Sequence, residues 1–177
     1  MEINTNRLIL RKFTKEDINQ SYLNALNDPT IMGMTEARHI FWDRSEAEKF
    51  IENSNTDDSI LLSVLIDESK KPIGNIRLFN IHKVHMRAEL SLLFYEKSEW
   101  GKGYATESIK ALVDYAFERL KLHRVFADYY ATNIASSKIF KKAGFKIEGV
   151  FKDHFLTKEM KYVDSIRIAI TKSNVNL

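Results

Sequence analysis

The sequence predicts an α+β fold of about seven strands and about four helices. Two observations carry this prediction. Short apolar runs with partial alternation dominate the middle of the chain, and connections of hairpin length join several of them. A glycine-containing loop then leads from an apolar strand into an amphipathic helix, after which a strand, a helix and two further strands follow. Hairpins and a strand–helix–strand unit in one chain are typical of a mixed fold.

The N-terminal part of the chain begins with a strand at residues 8–13, whose apolar positions partly alternate. Thr14 is expected to cap a first helix, which ends before an Asn-Asp-Pro sequence. Ser45 and Glu48 have the spacing of a capping box and predict the start of a second helix. Between these helices, residues 31–44 show no clear period, so we expect a loop or a broken helix there.

The remaining helices follow the middle strands. Apolar residues at helical spacing predict a third helix at residues 105–120. Asn133 is expected to cap a fourth helix that runs to about Ala143, with Gly144 as its left-handed terminator. The strands that complete the prediction lie at residues 60–66, 73–81, 87–95, 124–131, 145–151 and 162–170.

Length and composition restrict the class of protein. With 177 residues, 44% hydrophobic and 29% charged, the chain is interpreted as a single domain at residues 1–172 with a frayed tail at 173–177. The absence of cysteine excludes disulfides, thiolate nucleophiles and Cys-based zinc sites, and it fits a cytoplasmic protein. Because the first residues are polar and no apolar run reaches membrane-spanning length, we expect neither a signal peptide nor a membrane partner. A formal net charge of +3 is too small to indicate nucleic-acid binding.

The loop that begins at Trp100 is the most informative motif. Gly101 and Gly103 let the backbone adopt positive φ and turn its N–H groups toward one point. The helix that follows adds unpaired first-turn N–H groups and the positive end of its dipole. Together they predict a binding site for a phosphate or a diphosphate. The alternative is a plain tight turn between a strand and a helix.

Two common nucleotide-binding motifs are excluded at this loop. A nucleoside-triphosphate loop requires G-x-x-x-x-G-K-[ST], whereas Lys102 lies between the two glycines. A dinucleotide-binding fold requires G-x-G-x-x-G at the start of a βαβ unit, and the 6 glycines of the chain do not supply that pattern. The phosphate therefore belongs to another kind of ligand.

Several short motifs occur in a fixed order along nearly the whole chain. They lie at residues 6–11, 74–76, 88–90, 100–107, 133–137, 142–145, 148–149 and 162–164. In this order and spacing they resemble the GNAT superfamily of acetyl-CoA-dependent N-acetyltransferases, most closely the branch of ribosomal-protein-alanine N-acetyltransferases and their small-molecule relatives. The superfamily's Q/R-x-x-G-x-G/A loop corresponds here to Trp100, Gly103 and Ala105, so Trp replaces the usual Gln or Arg. The resemblance implies a central mixed, mostly antiparallel sheet that is splayed between the fourth and fifth strands.

The resemblance also implies how acetyl-CoA would be held. The N–H groups of residues 101–106 would bind the CoA diphosphate, and the pantetheine would lie along the end of the fourth strand. There the N–H of Phe94 would polarise the thioester carbonyl. Asn133 would bind the cofactor or a bridging water, as well as capping its helix. The expected cofactor-binding residues are Leu93, Phe94, Tyr95, Trp100, Gly101, Lys102, Gly103, Tyr104, Ala105, Thr106, Asn133, Ser136 and Phe140.

The chemistry requires a base for the attacking amine and allows an acid for the departing thiolate. Glu89 is the candidate base, because burial in the fourth strand would raise the pKa of its carboxyl; a structural acid is the alternative. The family's usual tyrosine acid is replaced by Phe140, which donates no proton. Ser136 matches a serine that lies near the sulfur in some ribosomal-protein acetyltransferases. Those enzymes also use a glutamate, and the corresponding position in this sequence is Phe155. Loss of the thiolate without an acid stays open, as do Tyr130, Asp153 and His154.

Acceptor contacts are expected from the segment at residues 31–44, with Arg38 and His39 as candidates. His82 and His85 lie on a predicted hairpin turn, so no metal site is predicted. We predict an N-acetyltransferase that transfers the acetyl group of acetyl-CoA to a primary amine, which is a protein N-terminus, a polyamine, an amino acid or an amino sugar. The alternative is a non-catalytic acyl-CoA-binding module. A monomer or homodimer is expected, without a nucleic-acid partner.

Overall fold

The structure is a computed structural model that describes residues 1–174, and these contain one mixed sheet of 8 strands. The strands are β1 (Glu2–Asn4), β2 (Leu8–Lys12), β3 (Ile60–Ile66), β4 (Pro72–His82), β5 (Arg87–Phe94), β6 (Arg124–Tyr130), β7 (Lys146–Leu156) and β8 (Tyr162–Thr171). Their order across the sheet is β1-β2-β3-β4-β5-β6-β8-β7. Only β5 and β6 pair in parallel, and the other neighbours are antiparallel. The predicted α+β fold with a mostly antiparallel sheet is confirmed.

Helices cover both faces of the sheet. The α-helices in the described part of the chain are α1 (Gln20–Leu26), α2 (Pro29–Met32), α3 (Arg44–Ser54), α4 (Tyr104–Glu118) and α5 (Ile134–Lys142). Successive strand residues face opposite sides, so Leu62 packs in the core beneath α4 and α5, while Leu61 packs in a second core with α1 and α3. The sheet therefore separates two cores, one beneath α4 and α5 and one beneath α1 to α3.

The first predicted helix is divided in the structure. Thr14 precedes only a short 3₁₀ turn (Lys15–Asp17), and α1 begins after Asn19, whose side chain accepts a hydrogen bond from the Tyr22 N–H at 2.9 Å. The Asp17 carboxylate is held by the Arg11 guanidinium at 2.6 Å and by the Thr14 N–H at 2.9 Å, and with Thr14 it forms a capping box at the start of this turn. The prediction of a single helix from Thr14 was wrong, because the backbone leaves the helical region at Ile18 and Asn19 caps a separate helix.

Two further boundaries differ from the predictions, whereas the irregular segment at residues 31–44 agrees with them. Helix α3 begins one residue before Ser45, because Asp43 rather than Ser45 is its N-cap and accepts from the Glu46 N–H at 2.8 Å. The irregular segment contains α2 and a 3₁₀ turn (Glu36–His39), so it is a broken helix. Strand β7 continues to Leu156, well past the predicted end, because β8 extends far enough to pair with it.

The C-terminal elements agree with the sequence more closely. Asn133 caps α5 by accepting from the Ser136 N–H at 3.0 Å, and Gly144 follows that helix with φ +95°. Of the tail that was predicted to fray, residues 175–177 lie outside the described residues. None of the helices within residues 1–174 has the length and apolar character needed to cross a membrane.

The sheet opens between β5 and β6. The two strands pair only where Arg87, Ala88 and Glu89 face residues 124–126. Beyond Glu89 they continue to Phe94 and Tyr130 without pairing. The predicted splay is confirmed, and it leaves a gap beside the glycine loop.

Candidate active site

The glycine loop leaves its backbone N–H groups open. Gly101 and Gly103 have φ values of +79° and +88°, in the left-handed region that favours glycine, and Gly103 is the N-cap of α4. Within residues 1–174, no backbone or side-chain acceptor receives the N–H groups of residues 101–106. These donors lie at the positive end of the α4 dipole, so the loop is built to bind an anion.

A cavity of about 1360 Å³ lies against this loop and extends into the gap between β5 and β6. Its wall includes Leu92 and Leu93 on β5 and Ala135 on α5, together with Ile31 and Met34 from the broken helix. It brings together most of the residues that the resemblance assigned to the cofactor, namely Leu93, Phe94, Trp100, Gly101, Gly103, Tyr104, Ala105, Thr106, Asn133 and Ser136. The loop and the splayed strand therefore belong to one site.

Three of the expected cofactor-binding residues lie outside that wall. Tyr95 packs against Tyr22 at 5.3 Å between ring centroids, and burial raises the pKa of its hydroxyl. The Lys102 ammonium points to Glu99 at 2.7 Å. Phe140 is 3% exposed and packs edge-on against Phe145 at 5.1 Å. Tyr95 and Phe140 therefore pack into the two cores, whereas the Lys102 side chain is exposed beside the loop.

The backbone at the end of β5 is free on the side of the gap. Because the Tyr95 N–H donates to the Ile73 carbonyl on β4 at 3.1 Å, alternation turns the N–H and C=O of Phe94 toward the gap. The Phe94 carbonyl accepts the Trp100 indole N–H at 2.9 Å. Gly74 permits this packing, since a Cβ there would lie 2.8 Å from the Leu93 carbonyl oxygen. The Phe94 N–H thus faces the gap while Trp100 holds its carbonyl.

Glu89 lies at the last paired position before the gap, opposite Phe126. It is half-buried, and burial raises the pKa of its carboxyl above the usual value despite a hydrogen bond from Asn80 Nδ2 at 3.3 Å. A carboxylate with a raised pKa is a better proton acceptor than an exposed one. Glu89 does not line the large cavity itself; it stands on the opposite face of the sheet from Leu90, beside the gap.

Tyr130, one of the open candidates for the acid, is engaged in a buried cluster. Its hydroxyl donates to Glu36 Oε1 and accepts from Arg38 Nη1, and burial raises its pKa. Its ring stacks on Phe155 at 4.0 Å between centroids. Ser136, by contrast, lies in the wall of the large cavity. Of these two candidates, only Ser136 borders the large cavity.

The structure separates the expected acceptor contacts from the large cavity. The Arg38 side chain is 3% exposed, and its guanidinium donates to the Thr35 carbonyl at 3.0 Å and to the Leu156 carbonyl. His39 is exposed and borders a separate cavity of about 280 Å³. The residues of this segment that reach the large cavity are Ile31, Met34 and Thr35, which sequence reasoning missed because apolar residues without a period carry no functional pattern.

Sequence reasoning also missed a bracing contact behind the loop. Arg7 and Thr5, before β2, hydrogen-bond to Glu107 in the first turn of α4. Arg7 and Glu107 both lie in motifs that carried the resemblance, but nothing in the sequence indicates that the two motifs meet. Within residues 1–174, no group of three or more acidic or histidine side chains is arranged to hold a metal ion.

Comparison with known proteins agrees with this geometry. A family profile described as "Acetyltransferase (GNAT) domain" matches residues 7–146. The probable N-acetyltransferase YjcK of Bacillus subtilis is 31% identical over 121 residues, which cover 63% of this chain and 67% of that protein. Spermidine N(1)-acetyltransferase of Escherichia coli K12 is 27% identical over 167 residues, which cover 91% of this chain and 84% of that protein.

A solved structure shares the fold. The crystal structure of spermidine N-acetyltransferase from Vibrio cholerae in complex with CoA and spermine superposes with a TM-score of 0.84, at 24% identity, over 96% of this chain and 98% of that chain. The relatives are spermidine and other N-acetyltransferases, and they do not single out the ribosomal-protein branch. The open loop amides, the splayed strands and the profile match over residues 7–146 together show that the chain belongs to the GNAT family of acetyltransferases and is an acyltransferase that uses acetyl-CoA.

Proposed function

We propose that this acetyltransferase acetylates a primary amine by direct attack on acetyl-CoA bound at the glycine loop. One observation carries the proposal: the unpaired N–H groups of residues 101–106 border a cavity that continues to the free Phe94 N–H. A diphosphate at the loop leaves the pantetheine and acetyl group to extend along β5. Acetyl-CoA supplies an activated acetyl group, and the protein supplies position and charge.

The proposed reaction exchanges a thioester for an amide. The neutral acceptor nitrogen forms a bond to the acetyl carbonyl carbon, the C–S bond breaks, and the sulfur leaves as the CoA thiolate. The Phe94 N–H donates to the carbonyl oxygen as negative charge develops on it. Glu89 receives the proton of the acceptor nitrogen, directly or through water. Ser136 is the candidate to protonate the thiolate, and departure without an acid is the alternative.

A polyamine is the proposed acceptor class. Spermidine acetyltransferases are among the relatives, and one structural neighbour carries spermine. The acceptor side of the gap also offers carboxylates: Glu89 at the branch point, and Glu36, whose side chain is 71% exposed although its Oε1 accepts from Tyr130 and lies 3.5 Å from Arg38 Nη1. Carboxylates at separate positions suit a ligand with several ammonium groups. A protein N-terminus is less favoured, because Phe155 packs on Tyr130 where ribosomal-protein enzymes would need a glutamate.

Thiol release from acetyl-CoA tests this proposal. The purified protein is assayed with spermidine, spermine, amino acids, amino sugars and a peptide with a free N-terminal alanine. We expect turnover with the polyamines at the highest kcat/KM and a mass increase of one acetyl group on the product. Acetylation of the peptide or an amino sugar alone would overturn the polyamine assignment. CoA binding without release for any amine would contradict the proposed reaction.

A further inference from the structure

Arg7 contacts the glycine loop through two different groups. Its Nη1 donates to the Lys102 carbonyl at 3.0 Å, and its Nε donates to Glu107 Oε2 at 2.8 Å. Its guanidinium also lies over the Tyr104 ring, 4.6 Å from the centroid. One side chain from the β1–β2 turn therefore joins the middle of the loop to the first turn of α4. A planar guanidinium can make such a fork, whereas a lysine ammonium cannot hold both partners in the same geometry.

Glu107 is ionised and held on three sides. Its Oε1 accepts from the Thr5 hydroxyl at 2.6 Å and from the Arg7 N–H at 3.1 Å, and its Oε2 is 2.6 Å from Arg7 Nη2. Burial raises the pKa of Glu107, but these hydrogen bonds outweigh burial and hold the pKa below its usual value. A bare carboxylate in the first turn of α4 would repel a diphosphate. Pairing with Arg7 offsets that repulsion, so an anion at the loop meets mainly the partial positive charge of the unpaired N–H groups.

The contact to the Lys102 carbonyl fixes the direction of the next N–H. In a trans peptide the C=O of one residue and the N–H of the following residue point in opposite directions. Because Gly101 and Gly103 flank Lys102, this peptide has unusual freedom to rotate. When Arg7 holds the Lys102 carbonyl on its own side, the Gly103 N–H must point to the other side. A Cβ at Gly103 would lie 3.5 Å from Arg7 Nη2, so the guanidinium is close behind the loop.

We propose that Arg7 is a positioning residue for cofactor binding, which sets the glycine loop in its anion-binding form by holding the Lys102 carbonyl and Glu107 together. This inference rests on the diphosphate lying at the loop, as in the proposed function. It makes a prediction that a simple counter-ion would not. Fork geometry, and not positive charge alone, determines affinity for the diphosphate.

Calorimetry with CoA and 3′-dephospho-CoA separates these roles. We expect Arg7→Ala and Arg7→Lys both to weaken binding of both ligands by about tenfold, the loss expected for hydrogen bonds to a charged group. The KM for acetyl-CoA should rise by a similar factor while kcat changes little. Arg11→Ala is the matched control, because Arg11 forks onto Asp17 at 2.6 and 2.9 Å without touching the loop. It should lose comparable thermal stability and keep its affinity for CoA.

Several results would overturn the inference. Full affinity in Arg7→Lys would show a point-charge role, and a penalty that disappears with 3′-dephospho-CoA would place Arg7 at the 3′-phosphate. Equal weakening in Arg11→Ala would reduce the effect to lost stability. Gly103→Asp tests the underlying assumption that the diphosphate lies at the loop. If this variant binds CoA with wild-type affinity, the diphosphate lies elsewhere. If this variant loses CoA binding while Arg7→Lys keeps wild-type affinity, only the role of Arg7 is refuted.

Discussion

The cofactor side and the acceptor side of this molecule are built in different ways. On the proposed cofactor side, the N–H groups of residues 101–106 are unpaired and that of Phe94 faces the gap, and the side chains of Trp100 and Arg7 contact the same backbone. On the proposed acceptor side, a short helix and a 3₁₀ turn are held by the buried Arg38. A ligand with constant chemistry suits a backbone site, whereas a variable acceptor suits a segment whose side chains can change. The difference explains why sequence motifs predict the cofactor site but do not predict the acceptor.

The largest expected effect is on the backbone site itself. Gly103→Asp should weaken CoA binding by a factor on the order of 100 or more, because it places a side chain on a left-handed backbone and brings a carboxylate up to Arg7, where it competes for the guanidinium that holds the loop. Calorimetry measures this directly. Gly149→Asp is the matched control, since Gly149 lies in β7 without a positive φ and a Cβ there would meet nothing within 4 Å. Unchanged affinity in Gly103→Asp would contradict the backbone account.

Substitution of Glu89, the proposed proton acceptor, should lower turnover without changing the affinity for CoA. Glu89→Gln is expected to lower kcat by about 100-fold, the lower range for a lost general base, with the Kd for CoA within about twofold. Since burial raises the pKa of Glu89, the wild-type rate should fall with decreasing pH at a higher pH than an ordinary glutamate would give. That acid limb should be absent in Glu89→Gln. Glu52→Gln on the exposed end of α3 is the control. A wild-type rate in Glu89→Gln at every pH would remove this residue from the mechanism.

The anchor of the acceptor side should show the opposite pattern. Arg38→Met removes hydrogen bonds to the Thr35 and Leu156 carbonyls and to the Tyr130 hydroxyl. We expect the free energy of unfolding to fall by about 2–4 kcal/mol and the acceptor KM to rise, with CoA affinity unchanged. Arg44→Met is the control, because Arg44 is an arginine on α3 whose side chain is 58% exposed while it donates to the Ile18 carbonyl at 2.9 Å, the Lys15 carbonyl at 3.5 Å and Glu48 at 2.9 Å. Denaturant unfolding measures both variants. An unaltered stability in Arg38→Met would show that Arg38 is free for the acceptor.

The smallest effect is expected where a side chain only supports the backbone site. Trp100→Phe removes the hydrogen-bond donor to the Phe94 carbonyl. Loss of one such hydrogen bond costs about 1 kcal/mol, so we expect kcat/KM for acetyl-CoA to fall roughly fivefold. Trp42→Phe removes a similar indole contact, to the Ala37 carbonyl at 3.3 Å, on the acceptor side. It should change stability and acceptor KM instead. If both variants affect the cofactor equally, the two sides are not separable.

Much of the fold was predictable because local patterns and tertiary packing agree. Helix α4 has apolar residues at helical spacing, Asn133 caps α5, and Gly144 takes the left-handed conformation that ends it. The errors arose where the backbone departs from the local pattern or where a distant strand decides the outcome. The first helix is interrupted at Ile18 and starts again after Asn19, and β7 continues to Leu156 because β8 pairs with it.

The site divides in the same way. Two glycines before a helix predict unpaired N–H groups, because that property belongs to the backbone and needs no partner. The placement of Arg38 depends on Tyr130 and Leu156, which are 92 and 118 positions away, so its burial could not be inferred from its neighbours. The pairing of Arg7 with Glu107, 100 positions apart, was hidden for the same reason.

A crystal structure with bound CoA tests the central claim most directly. The account predicts that the diphosphate oxygens accept hydrogen bonds from the N–H groups of residues 101–106 and that the pantetheine follows β5 to the Phe94 N–H. A diphosphate held instead by lysine side chains away from this loop, with those N–H groups bound only to water, would contradict it.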